Sequence, residues 1–181
     1  PEEQQLVSWM QYLQNWRYEE VRDYKLSLIK EICRKYDIDG LELDFMRAPC
    51  FFSYENTTHQ QRVNILTEFV SDVRAELDSN TTKGKHKWLS VRIPNHTKNQ
   101  LFAGIDIRRF KQAGVEMFVL SPSYYTQQQV PVERVRSVLG DDSAVYLEVC
   151  HVIRRVTQRK DGKRIDADRY TTVEQFYTAA H

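Results

Sequence analysis

The sequence of 181 residues has few cysteines and glycines, and it has no long apolar run. The three cysteines, Cys33, Cys50 and Cys150, lie far apart without metal-ligand spacing, and their odd number argues against a complete disulfide framework. The six glycines do not form a glycine-rich phosphate-binding loop. No apolar segment is long enough to span a bilayer. The sequence therefore does not indicate a disulfide scaffold, a phosphate-loop protein or a membrane-spanning protein.

The chain also lacks a large net charge. Its 26 Lys and Arg residues nearly balance its 25 Asp and Glu residues, which leaves a net charge of +1. This balance gives no electrostatic reason to expect nucleic acid or an anionic membrane as a partner. With 41% apolar and 28% charged residues, the composition is typical of a globular domain, and the length allows one domain with a sizeable core.

What the sequence does contain is a regular alternation of amphipathic helices and short apolar strands. Apolar residues at helical spacing predict helices over about residues 20–36, 59–78 and 131–139, and Asp106 and Gly114 bound a shorter helix. The predicted strands are Ile38–Phe45, Trp88–Ile93, Val115–Leu120 and Ala144–Cys150. The basic stretch 154–169 is predicted to be a long loop, and the capping-box signature of residues 171–174 predicts a last helix. This alternation indicates parallel βαβ units and an α/β fold.

Carboxylates interrupt the first predicted strand, within the sequence YDIDGLELDFMR at residues 36–47. Because strand side chains alternate between faces, Leu41 and Leu43 share one face while Glu42 and Asp44 share the other. A strand covered by helices on both faces should instead be apolar on both. A barrel explains the pattern, because one strand face meets the outer helices and the other points inward. We therefore predict a partial (β/α)8 TIM barrel with Asp44 nearest its C-terminal mouth.

Two further strands place charged residues on the same predicted inner face. Arg92 alternates with apolar residues in the second strand, and Glu148 does so in the fourth. A barrel mouth rich in charge is a candidate functional site. Two questions stay open from the residues alone. Glu42 and Arg92 either belong to the site or form a structural ion pair, and Arg47 either binds a substrate oxygen or keeps Asp44 ionised.

These residues carry a family resemblance. YDIDGLELDFMR, followed by Phe51-Phe52 and preceded by a helix that opens on EVRDY, resembles the bacterial glycoside-hydrolase-like barrels of the family-10 type. VRIP at 91–94, GID at 104–106 and TVE at 172–174 are also similar to that group, so that the resemblance covers roughly residues 15–181. It implies a (β/α)8 barrel and the cleavage of glycosidic bonds.

More distant sugar-cleaving barrels offer a comparison for the same strand. The spacing of Asp39, Gly40 and Asp44 is similar to the chitinase-type strand, although Met46 stands where that pattern requires an acid. Asp44 also resembles the nucleophile that ends a comparable strand in α-galactosidase- and α-amylase-type barrels. If the predicted strands are the fourth to seventh of a barrel, Asp44 and Glu148 end strands four and seven, as in the large clan of retaining glycosidases.

The resemblance implies a set of site residues. Glycoside hydrolysis needs one carboxyl group to protonate the leaving oxygen and another to act as nucleophile or base, and we expect Asp44 and Glu148 to be this pair. Glu42 would orient Asp44, and Arg92 would keep a carboxylate ionised or bind a sugar hydroxyl. Further candidates for substrate contacts, each with ordinary packing as the alternative, are Tyr124, Tyr125 and His151. We expect no cofactor, and a metal between Glu42 and Asp44 would lack a supporting histidine pattern.

The length of the chain is short for a barrel. A TIM barrel typically takes about 250 residues and eight strands, and four strands are predicted here. We therefore expect residues 1–181 to form a single incomplete barrel domain, a fragment of a larger enzyme that is inactive alone and self-associates through two open sheet edges. The chain opens on Pro1 rather than Met, and the compartment stays open, an extracytoplasmic or periplasmic one included.

Two other functions remain alternatives. The first is a carbohydrate-binding barrel without catalysis, which binding of neutral oligosaccharides without turnover would favour. The second is a barrel enzyme for an anionic metabolite, which would use Arg92, Arg47 and the basic stretch 154–169. Sugar phosphate binding that depended on these arginines would favour the second alternative. In each case the expected partner is a small or oligomeric substrate, not nucleic acid or a membrane.

Overall fold

A computed structural model describes residues 13–46, 50–81, 84–122, 131–148, 152–160 and 163–170, the last two ranges as backbone only. It confirms the α/β fold, with helices and a four-stranded parallel sheet. In chain order the elements are α1 (Glu19–Lys35), β1 (Gly40–Asp44), a short 3₁₀ helix (Tyr54–Asn56), α2 (His59–Ser79), β2 (Trp88–Pro94), α3 (Thr97–Ala103), α4 (Ile107–Gln112), β3 (Met117–Ser121), α5 (Val132–Leu139), β4 (Ala144–Leu147), β5 (Val152–Lys160) and β6 (Lys163–Tyr170).

The parallel sheet has the strand order β1-β2-β3-β4, which is also the order of the strands in the chain. One or more helices lie between consecutive strands of this parallel sheet, as parallel connections require. In the register, Asp44 is opposite Arg92, Arg92 is opposite Val119, and Val119 is opposite Tyr146. Because all four strands run in the same direction, their carboxyl ends lie at one edge of the sheet.

The helices cover one face of this sheet. On that face Leu89, Val91 and Ile93 of β2 are fully buried together with Leu66 and Val70 of α2. Burial of each such side chain stabilises the fold by about 1.5–3 kcal/mol. The opposite face differs, because its exposed residues include Glu42, Trp88 and Tyr146. The alternation predicted for the first strand is therefore confirmed in its packing.

Local sequence signals fix the ends of the helices. A capping box of Thr58 and Gln61 begins α2, and the Asp106 side chain accepts hydrogen bonds from two backbone N–H groups at the start of α4. Gly104 follows α3 as its C-cap, and its φ of +84° is a conformation that favours glycine. A Cβ on Gly104 would lie 2.6 Å from the Cβ of Arg62, so this residue also sets how closely α3 approaches α2.

The prediction of a long loop over residues 154–169 is wrong. These residues belong to β5 and β6, which pair as an antiparallel hairpin with an irregular register between Val152 and Arg154. The dense positive charge suggested a solvated loop, yet β5 contains the β-branched residues Val152, Ile153, Val156 and Thr157. Asp161-Gly162 separates the two strands in sequence and is a frequent two-residue hairpin connection. That dipeptide was the signal that could have identified the hairpin.

Other predicted elements differ in smaller ways. The helices predicted over 20–36, 59–78 and 131–139 are confirmed to within a residue at each end, whereas α3 was not predicted. The first strand is shorter than predicted, because the described strand begins at Gly40 and ends at Asp44. The helix predicted after residue 171 lies outside the described residues. Among the described helices, none combines the length and apolar character needed to cross a membrane.

Candidate functional site

The carboxyl edge of the sheet brings together residues from all four parallel strands. Asp44 ends β1, Arg92 lies near the end of β2, Ser121 ends β3, and Glu148 follows β4. Backbone hydrogen bonds continue to this edge, from the N–H of Phe45 to the carbonyl of Arg92 (2.8 Å) and from the N–H of Glu148 to the carbonyl of Leu120 (3.0 Å). The backbone that carries these side chains is therefore part of the sheet rather than of a free loop.

The guanidinium of Arg92 lies between the two predicted catalytic carboxylates. Its Nη1 donates to both oxygens of Asp44, at 3.2 Å to Oδ1 and 3.0 Å to Oδ2. Its Nε and Nη2 both lie 2.7 Å from Oε2 of Glu148. Nη2 also donates to the hydroxyl of Ser121 at 3.2 Å. One guanidinium therefore joins β1, β3 and the residue after β4 to β2.

This arrangement limits the separation of the two carboxylates. Oδ2 of Asp44 and Oε2 of Glu148 are within about 8 Å of each other, because both accept hydrogen bonds from one planar guanidinium. Both side chains also remain accessible, with exposed fractions of 41% for Asp44 and 28% for Glu148, whereas Arg92 is 20% exposed. A substrate at this edge of the sheet could reach both carboxylates.

The electrostatics of the cluster keep Arg92 charged. Burial lowers the pKa of Arg92, but the hydrogen bond that Arg92 donates to Glu148 and the negative charges of Asp44 and Glu148 outweigh burial, so that the pKa lies above its ordinary value. Oδ1 of Asp44 also accepts a hydrogen bond from the backbone N–H of Met46 at 2.8 Å. The Asp44 carboxylate is therefore held from two directions.

Glu42 has a different partner from those predicted. Its Oε2 accepts a hydrogen bond from the hydroxyl of Ser90 at 2.9 Å, in the row of the sheet next to Asp44 and Arg92. The alternative of a structural ion pair between Glu42 and Arg92 is wrong, because the ion pairs of Arg92 go to Asp44 and Glu148. Glu42 lies on the same sheet face as the site, but it is hydrogen-bonded to Ser90, two residues along the strands from the pair of Asp44 and Arg92.

Other site residues were missed or cannot be placed. Ser121 was not predicted, although it is fully buried and bound to Arg92. The sequence around Ser121 does not indicate this contact, because Arg92 lies 29 residues earlier in the chain. The predicted site residues that lie outside the described residues, and that stay predictions, are Arg47, Tyr124, Tyr125 and His151.

The described residues offer carboxylates and a cation rather than a metal centre. Among them, no three histidine, cysteine or acidic side chains come together in a way that could hold a metal ion. Two accessible carboxylates beside a fixed guanidinium can accept hydrogen bonds from hydroxyl groups and can exchange protons with a bound molecule. Neither a protein-family model nor a curated protein matches this chain.

Proposed function

We propose that the carboxyl edge of this sheet is part of the active site of a glycoside hydrolase and that Asp44 and Glu148 are its paired carboxylates. The observation that carries the proposal is their position on either side of Arg92, accessible and within about 8 Å of each other. Retaining glycosidases hold their two carboxyl groups about 5–5.5 Å apart, and inverting enzymes about 6.5–9.5 Å apart. The arrangement is compatible with both.

The resemblance to glycoside-hydrolase-like barrels agrees with this proposal, and we infer that the sheet is part of a (β/α)8 barrel. Within the described residues the helices cover one face and charged side chains lie on the other, which supports a barrel over a sheet covered on both faces. In barrel enzymes the carboxyl ends of the strands form the active site. Asp44, Arg92 and Glu148 lie at the corresponding edge of this sheet.

The residues would divide the chemistry between them. One carboxyl group protonates the glycosidic oxygen as the bond breaks, and the other attacks the anomeric carbon or activates a water molecule. Arg92 donates hydrogen bonds to both carboxylates and so fixes the direction in which each of them points. Arg92 thus acts as a positioning residue.

The test is hydrolysis of a panel of oligosaccharides by the intact protein and by the variants Asp44→Asn and Glu148→Gln. We expect each variant to lower kcat/KM by about 10²- to 10⁴-fold, the usual effect of losing an acid, a base or a nucleophile. Asp142→Asn is the matched control, because Asp142 is exposed and pairs with Lys111, away from the site. A fall of similar size in this control, or full activity in both site variants, would contradict the proposal.

A second candidate function is carbohydrate binding without catalysis. The observation that favours it is the ion pairing of both carboxylates with Arg92, so that a sugar would meet carboxylate groups that already accept hydrogen bonds. The same panel separates the two functions. Binding of an oligosaccharide by the wild-type protein, with no product detected by mass spectrometry, would establish this second function in place of hydrolysis.

A further inference from the structure

The β5–β6 hairpin concentrates positive charge in a chain that is otherwise acidic. Its two strands contain seven basic and two acidic residues, a net charge of +5. Because the whole chain has a net charge of +1, the remaining residues have a net charge of −4. The hairpin therefore differs in sign from the rest of the protein.

The register of the hairpin separates its charges between two faces. One face carries the pair Arg154 and Arg169 at one end and the pair Lys160 and Lys163 at the other, with no acidic residue between them. The opposite face carries both acidic residues, Asp166 and Asp168, together with three arginines. At about 3.3 Å per residue, the first face, which we call the basic face, is about 20 Å long between its two cationic pairs.

Folding alone gives no reason for this arrangement. Arg154 is directly opposite Arg169, and Lys160 is directly opposite Lys163. Like charges directly opposite each other in an antiparallel pair destabilise it. An isolated two-stranded hairpin is at best marginally stable, so it has little stability to lose. Arg159 is opposite Arg164 on the other face as well, but that face also carries Asp166 and Asp168, whereas the basic face has no acidic residue to offset its cationic pairs. A bound anion would supply the missing negative charge.

The position of the hairpin in the chain relates it to the candidate site. Three residues separate Glu148 from Val152, where β5 begins. The two Cα atoms are therefore within about 14 Å of each other, the reach of an extended chain of that length. The hairpin thus starts close to the carboxyl edge of the sheet, where Asp44, Arg92 and Glu148 lie.

We propose that the basic face binds an anionic polysaccharide with carboxylate or sulfate groups. The same polysaccharide molecule would also reach the site at Asp44 and Glu148. This inference rests on the proposed function and specifies its substrate class. Nucleic acid fits less well, because a duplex carries one negative charge per about 1.7 Å and would meet the acidic remainder of the chain. Single-stranded nucleic acid needs aromatic stacking, and the basic face has no aromatic residue between its cationic pairs.

The experiment is a binding titration of the full chain with a fluorescent oligogalacturonate, a neutral oligosaccharide of equal length and a DNA oligonucleotide. The test variant is Lys160→Gln/Lys163→Gln. The control is Arg108→Gln/Arg134→Gln, which removes the same charge from two exposed arginines of α4 and α5. We expect the test variant to bind oligogalacturonate about tenfold more weakly at low salt, and the control to bind it within about twofold of wild type.

A melting experiment shows whether the test variant is folded. Because Lys160→Gln/Lys163→Gln removes a pair of opposed like charges, its melting temperature should equal or exceed that of the wild type. A folded variant with unchanged affinity, an equal loss in the control, or tighter binding of DNA that depends on the same lysines would overturn the inference. Binding and hydrolysis are measured separately. Cleavage of neutral glycans alone would support the proposed hydrolysis and refute the binding of an anionic polysaccharide. Binding of oligogalacturonate that depends on the hairpin, without any cleavage, would support the binding and refute the hydrolysis.

Discussion

Arg92 connects more of the candidate site than any other described side chain. Its guanidinium contacts Asp44, Ser121 and Glu148, which come from three other segments of the sheet. A lysine could supply the charge but not the planar fork of donors that reaches several oxygens at once. Partly exposed ion pairs contribute about 1 kcal/mol or less each, so the geometry of Arg92 matters more than its contribution to stability.

A substitution at Arg92 separates positioning from stability. We expect Arg92→Lys to lower kcat for glycoside cleavage by about 10- to 100-fold with little change in KM, because the carboxylates lose their fixed orientation. The free energy of unfolding should fall by only about 1–2 kcal/mol. Steady-state kinetics and urea denaturation measure the two effects. Wild-type kcat in Arg92→Lys would show that charge alone is sufficient and would refute the positioning role.

For the individual residues of the site, strand alternation explains which of them could be predicted from the sequence. Glu42, Asp44, Arg92 and Glu148 were placed on one face from a period of two residues, which is a local property. The actual partners depend on register and on side-chain reach. Glu42 therefore pairs with Ser90, although the sequence suggested Arg92 or Asp44. Ser121 has no local signal at all, because its role comes from a strand that is distant in the chain.

Among the helices, the junction of α2 and α3 depends on one glycine. Gly104 has a φ of +84°, and an added Cβ would lie 2.6 Å from Arg62 Cβ and 2.9 Å from the Arg62 carbonyl carbon. Arg62 is itself buried and donates to the carbonyl of Thr57 at 2.8 Å. Neither side of this contact can therefore move away easily. The connection between β2 and β3 passes through this point.

Two alanine substitutions test this contact. Gly104→Ala should lower the free energy of unfolding by about 2–4 kcal/mol, because the positive φ and the contact with Arg62 both oppose it. Gly84 is the matched control, since its φ is +75° and no described atom lies within 4 Å of an added Cβ. Gly84→Ala should lower the free energy by only about 1 kcal/mol. Equal effects in thermal or urea unfolding would mean that the Arg62 contact is unimportant.

The elements that were predicted correctly are those in which apolar residues recur with one clear spacing. Apolar residues of α1 and α2 recur at helical spacing over several turns, and caps mark the ends of α2 and α4. The hairpin was missed because its charges were interpreted before the β-branched residues of β5 and the Asp-Gly connection. The short helix α3 was missed because its seven residues make less than two full turns.

The whole sheet has two outer strands, β1 and β4. Within the described part of the chain, neither pairs with a further strand on its outer side. Unpaired backbone N–H and C=O groups at a sheet edge are able to pair with a second chain. We therefore expect the 21.5 kDa chain to associate in a concentration-dependent manner, which sedimentation velocity would detect.

A lysine on an outer strand should weaken this association. Tyr146 lies in β4 and is 53% exposed, so Tyr146→Lys places a charge at the edge without disturbing the buried face. The control is Tyr24→Lys, because Tyr24 is 54% exposed and lies in the helix α1 rather than in a strand. A monomer at every concentration would argue against open edges, and equal effects of the two lysines would point to a different surface.

The strand order of the sheet has a consequence for protein synthesis. Each strand pairs with the strand made just before it, so pairing can follow the growing chain from β1 to β4. Asp44 and Arg92 are 48 residues apart and can meet first, whereas Glu148 is made 56 residues after Arg92. Until the fourth strand emerged, a nascent chain on the ribosome could bring Arg92 against Asp44 but not against Glu148. The pair of carboxylates that we propose for catalysis would therefore be complete only after the fourth parallel strand had emerged.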